Sequence, residues 1–171
     1  MDKLEQRARE ILNSLKGFSE FPASISGKYH YGETMEDHLT RVVEIIKDLC
    51  REFKVSEADT DMLSAAGWLH DIGRFPITKK GLQIVIFAFG ESPGWQFFEK
   101  TGYSRMIGKM EEHPIIGSQL LEKFEIPRKK EIQRLIAIHM SHWYPEQPQP
   151  DTSNLFEVII CTADYLSSRK K

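Results

Sequence analysis

Cysteine is scarce in this chain. Cys50 and Cys161 are the only two in 171 residues, and they form no Cys-x-x-Cys pair. Both fall in apolar, helix-like patterns, which reads as reduced core cysteine in a cytoplasmic protein. An excess of either charge is also missing. Lys plus Arg number 23 against 25 Asp plus Glu, a formal net charge of −2, which excludes a general nucleic-acid binder with a strongly basic face. Long hydrophobic runs are absent. The longest nearly apolar stretch, Leu82 to Phe89, is far short of the ~20 residues that span a bilayer, so no membrane association is expected. The opening Met1-Asp2-Lys3-Leu4-Glu5 is charged from the start and does not read as a secretory h-region. No internal repeat or low-complexity tract appears. What is there is an ordinary globular balance, 40% apolar and 28% charged, in a length that suits one domain spanning 1–171.

Helical periodicity dominates. A first helix is expected from Asp2 to Lys16, ending at Gly17. Thr34, with an acid three residues on at Asp37, opens a second, whose apolar stripe is Met35, Leu39, Val42, Ile46, Leu49 and Phe53. A third runs from about Ser56 to Ile72 and stops at Gly73. Pro114 suits the first turn of a fourth, His113 to about Phe124. A fifth covers about Arg128 to His142. A sixth covers Asn154 to Ser168, with Asn154 and Glu157 as a capping pair and Arg169-Lys170-Lys171 at its negative end. Outside residues 82–89 nothing reads as a strand, and 75–112 and 143–153 read as irregular. The expected fold is an all-α bundle of five or more helices.

The chemistry lies in the histidines. His38 sits beside the stripe of the second helix. His70 and Asp71 are adjacent near the end of the third. His139 shares a face with Ile132, Leu135 and Ile136, and Asp164 follows Ile160 and Cys161 on a face that should be buried. A carboxylate there needs a partner, because an isolated buried charge is very costly. Imidazole and carboxylate converging in a helical core is what a transition-metal site requires. His113 precedes Pro114 at a helix N-terminus, where the positive dipole disfavours imidazolium and keeps the ring able to bind a metal. Any one inward histidine is ordinary packing; the whole ordered series is much harder to explain that way.

That series resembles the HD-domain superfamily of metal-dependent phosphohydrolases. Leu69-His70-Asp71-Ile72-Gly73-Arg74 matches its central motif in the HDIG form, and Glu112-His113-Pro114-Ile115-Ile116-Gly117, Ile138-His139 and Thr162-Ala163-Asp164-Tyr165-Leu166 resemble its later motifs. The likeness covers about residues 30–168, with 75–112 as an unplaced insertion. It implies an HD-domain helical bundle and two divalent transition-metal ions, Fe or Mn first, with Zn, Ni, Co and Mg open. His38, His70 and Asp164 would serve one ion and His113 and His139 the other, with Asp71 between. It further implies hydrolysis of a phosphoester or phosphoanhydride in a nucleotide or other small phosphorylated molecule by hydroxide that the ions generate. The small bacterial enzymes that split diadenosine tetraphosphate symmetrically are closest in pattern. Met140-Ser141-His142-Trp143 after His139 departs from the cyclic-di-GMP phosphodiesterase branch.

Substrate charge must also be met. Segment 74–109 carries Arg74, Lys79, Lys80, Lys100, Arg105 and Lys109 against Glu91 and Glu99, a net +4 that leaves −6 for the rest. Phosphate contacts are therefore expected from Arg74, Lys79, Lys80, Arg105 and Lys109, with Asp71, Arg74 and His142 in catalytic roles. His30 and the aromatics Trp95, Phe97, Phe98 and Tyr103 are weaker candidates. Two other classes stay open: a di-iron oxygenase built on the same ligands, and a non-catalytic nucleotide sensor. A homodimer is left open.

Overall fold

In the computed structural model the described residues are 3–15, 18–19, 23, 33–74, 76–77, 104–105 and 113–169. They form six helices: α1 (Lys3–Ser14), α2 (Met35–Glu52), α3 (Glu57–Leu69), α4 (His113–Leu120), α5 (Lys129–Ile138) and α6 (Leu155–Ser167). The all-α expectation holds. Short 3₁₀ turns follow three of the helices, at Ile72–Arg74, Leu121–Lys123 and Ser141–Trp143. They shorten the third, fourth and fifth helices relative to the sequence reading. One expectation is corrected: Pro76–Ile77 (β1) pairs antiparallel with Ser104–Arg105 (β2), Pro76 opposite Arg105 and Ile77 opposite Ser104. Two residues carry too little alternation to announce a strand. Residues 82–89 lie outside the described residues.

Helix α3 is the central element. Met62 through Leu69 are buried all round, as expected of a helix apolar on every face, and α3 contacts α1, α2, α5 and α6. Helix α2 packs on α3 and α6, and α4 packs on α5 and on the turn after α3. The N-terminus of α1 is held from α3, where the Asp61 carboxylate accepts the backbone N–H groups of Leu4 and Glu5 at 3.0 and 2.8 Å. This joins an anion to the positive helix end.

The caps follow the sequence in part. Thr34 and Asp37 form both bonds of the capping box on α2. Asn154 caps α6 by accepting from Phe156 N–H. Its expected partner Glu157 instead accepts from Arg134, at 2.9 and 3.0 Å, and from Asp151 N–H. A guanidinium is a stronger partner for a carboxylate than a cap amide. Phe53, expected on the buried stripe, is the cap residue beyond α2 and is 56% exposed. Cys50 is buried, Cys161 is half-buried, and both are free thiols. Among the described residues no helix is long and apolar enough to cross a membrane.

Candidate metal centre

The helices deliver their histidines from their ends. His70 is the cap residue after α3 and His139 the cap residue after α5. Each ring folds back on its own last turn: His70 Nδ1 is 2.7 Å from Gly67 O, and His139 Nδ1 is 2.7 Å from Ile136 O. A carbonyl only accepts, so in both rings Nδ1 carries the proton and, when the ring is neutral, Nε2 carries the lone pair. His38, on α2, reaches the same state by another route. Ser167 Oγ donates to Asp164 O at 2.8 Å. Its lone pair is then left to accept from His38 Nδ1 at 3.3 Å. Three imidazoles are thus oriented by the second-layer bonds that metal-ligating histidines characteristically make.

The three Nε2 atoms and that of His113 converge around two carboxylates, and all six side chains are buried. Asp71 stands in the middle. Its Oδ1 is 3.0 Å from His113 Nε2 and 3.7 Å from His139 Nε2. Its Oδ2 is 3.5 Å from His38 Nε2 and 3.8 Å from His70 Nε2. Asp164 Oδ1 lies 3.5 Å from the Nε2 of both His38 and His70. Three overlapping groups can hold a cation: His38, His70 and Asp71; His70, His139 and Asp164; Asp71, His113 and His139.

The donor chemistry fits divalent ions. His38 and His70 bring Nε2 within 3.2 Å of one another, and His113 and His139 within 3.0 Å. Where both nitrogens of such a pair are unprotonated, their lone pairs repel unless a cation lies between them. A proton can play that part at His70. Burial opposes the imidazolium, yet Asp71 and Asp164 outweigh it and raise the pKa to about 9. His113 goes the other way, lowered to about 4. The sequence expected a neutral His113 from the helix dipole. Burial is the larger cause, opposed by Asp71 and assisted by His139 and Arg74. Asp71 and Asp164 stay ionised despite burial, Asp71 mainly through Arg74 and His70, Asp164 mainly through His70.

Two glycines set the spacing. A Cβ on Gly73 would lie 2.0 Å from His113 O and 2.8 Å from Gly117 N, and one on Gly117 would lie 3.0 Å from Gly73 N. The backbone after α3 therefore rests directly on the first turn of α4. That contact brings His113 to Asp71.

Arg74 is placed differently from a free phosphate contact. It is 9% exposed, and its Nη1 donates to Asp71 Oδ2 at 2.9 Å while its Nη2 donates to Ala23 O at 2.8 Å. Those bonds make it a positioning residue for Asp71. His142 is exposed on the turn after His139, and burial of part of the ring lowers its pKa against the pull of Asp164. Lys79, Lys80, Lys109, His30, Trp95, Phe97, Phe98 and Tyr103 lie outside the described residues, and Arg105 is described only through its backbone pairing. Sequence reasoning missed Ser167, whose only signal is its place one turn after a buried acid. It also missed Arg41, which donates to Ser167 O at 2.8 Å and pairs with Glu33.

No curated protein and no solved structure matches the chain. A family model does: the HD-domain model matches residues 35–169, the span that holds all six converging side chains, and the chain belongs to the HD-domain family.

Proposed function

We propose that this protein is a metal-dependent phosphohydrolase with two ion sites, acting on a phosphoester or phosphoanhydride of a nucleotide or other small phosphorylated molecule. The observation that carries this reading is Asp71, whose two oxygens face different histidine pairs. In this reading His38, His70, Asp71 and Asp164 would hold one ion, and Asp71, His113 and His139 would hold the other. Fe and Mn are the first candidates, since imidazole with carboxylate suits both. When bound, divalent ions lower the pKa of water and polarise a phosphoryl oxygen.

The chain's own groups supply the rest. Gly67 O, Ile136 O and Ser167 Oγ hold three imidazoles in the ligating tautomer. Arg74 keeps Asp71 ionised and aimed inward. His142, on the turn after His139, is proposed to move a proton or contact phosphate, its pKa lowered by partial burial against the pull of Asp164. No Ser, Cys or Lys among the described residues stands at the cluster as a nucleophile. Burial pushes the Cys161 thiol up to about 12 and makes it inert. In the proposed mechanism water attacks phosphorus directly, with no phosphoenzyme. Lys79, Lys80, Arg105 and Lys109 are proposed to meet substrate phosphate. An anhydride-linked nucleotide is the first substrate to try, on the likeness of the His113-Pro114 and Ala163-Asp164-Tyr165 motifs to the diadenosine tetraphosphate hydrolases.

Metal analysis of anaerobically purified protein, followed by a phosphate-release screen across nucleotides, tests the reading. Single turnover in oxygen-18 water should place one labelled oxygen in the product phosphoryl group. A phosphorylated protein overturns direct attack, and dioxygen consumption with substrate moves the protein to the oxygenase class.

A further inference from the structure

Beside the candidate metal centre lies a group of planar side chains of which only His142 enters the proposed mechanism. Trp143 ends the turn after His139, and Tyr165 follows Asp164 on α6. Their rings stack at 6.0 Å between centroids with an interplanar angle of 27°. The His142 ring lies 4.9 Å from Trp143 and 5.5 Å from Tyr165. The Arg169 guanidinium stands over both, 4.5 Å from Tyr165 and 5.4 Å from Trp143. Trp143 is 44% exposed and Tyr165 39%, so the stack is not core packing. Two separate chain segments build it, and both lead straight from metal-centre residues.

We infer that Trp143, Tyr165 and Arg169 form a nucleobase subsite, on which the base of a nucleotide stacks while its phosphates reach the metal centre. The inference rests on the phosphohydrolase reading and names the substrate class for it. An exposed ring face presents a planar apolar surface that any base can cover. Arg169, standing over the two rings, adds a cation complementary to the phosphate chain and able to stack on a base. Tyr165 is the next residue after Asp164, and Trp143 lies four residues beyond His139. A phosphorylated molecule without a planar group would leave the stack uncovered.

Calorimetry on the metal-loaded protein separates the base from the phosphate. The two probes are α,β-methylene adenosine diphosphate and methylenediphosphonate, which resist hydrolysis and differ by the nucleoside. The nucleoside should strengthen binding. Trp143→Ala should weaken the adenosine ligand about 5- to 150-fold and leave methylenediphosphonate unchanged, while Trp143→Phe retains most of the affinity. Equal weakening of both probes, or equal affinity of both in the wild type, overturns the subsite. So does a Trp143→Ala variant that sediments as a smaller species than the wild type, since the stack would then join two copies of the chain. If methylenediphosphonate binds and adenosine adds nothing, only the subsite falls. If neither probe binds, the phosphohydrolase reading falls with it.

Discussion

The two halves of the candidate metal centre are built unequally. The half with His38 and His70 receives two carboxylate oxygens, Asp71 Oδ2 and Asp164 Oδ1. The half with His113 and His139 receives Asp71 Oδ1. The first comes from α2, the end of α3 and α6, which pack directly on one another. The second comes from α4 and α5, joined to the rest partly through the Gly73–Gly117 backbone contact. Charge follows the same division. His70 attracts a proton strongly, and His113 refuses one. On the proposed two-ion reading, the first half, with two carboxylate oxygens against one, is expected to bind a cation more tightly, and a chelator titration should empty the second half first.

Asp71 turns one oxygen to each half, so its removal should have the largest effect. Asp71→Ala is expected to lose most of both ions and nearly all activity, whereas His113→Ala retains about one ion per chain. Elemental analysis checks this, and equal loss in the two variants would defeat the bridging assignment.

Gly73→Ala separates the halves through packing. A methyl 2.0 Å from a backbone carbonyl is overpacking without a flexible neighbour to yield, costing about 3 kcal/mol. The expected fall in Tm is about 6–12 °C. Metal content should drop toward one ion, because α4 is pushed off while α2, α3 and α6 are untouched. A variant with wild-type Tm and both ions would sink that account of the glycine.

Arg74→Ala removes a charge-assisted bond to the shared carboxylate, worth roughly 1.5–3 kcal/mol. If that bond persists in the transition state, kcat/KM should fall about 10- to 150-fold. Unchanged kcat/KM with normal metal content would remove Arg74 from any part in the site. The smallest effect is expected from Ser167→Ala, which frees the His38 ring to turn. Loss of such a supporting bond weakens metal affinity about 10-fold. The loss should fall on the His38 half alone, which a two-step chelator titration resolves.

Much of this was legible beforehand. The Thr34–Asp37 capping box and the buried positions of His38, His70, His139 and Asp164 follow from local pattern, because caps and helix faces depend on neighbours within one turn. The 3₁₀ endings were not legible. His70 and His139 read as helical positions but stand just past the last helical turn, where Nδ1 can reach back to a carbonyl. Glu157 shows the same limit: its local role as a cap partner gives way to Arg134, 23 residues away.

The sequence by itself determined which residue types enter the core and in what order along the chain. It could do so because helical periodicity and the cost of burying an unpaired carboxylate are local rules. Only the tertiary structure decided how those residues meet. The candidate ligands of one half are up to 126 residues apart, from His38 to Asp164, and converge because α2 and α6 lie against α3. The tautomer of His38 depends on Ser167, and the approach of His113 depends on two glycines in different elements touching. Both are contacts between surfaces that exist only after the helices have packed.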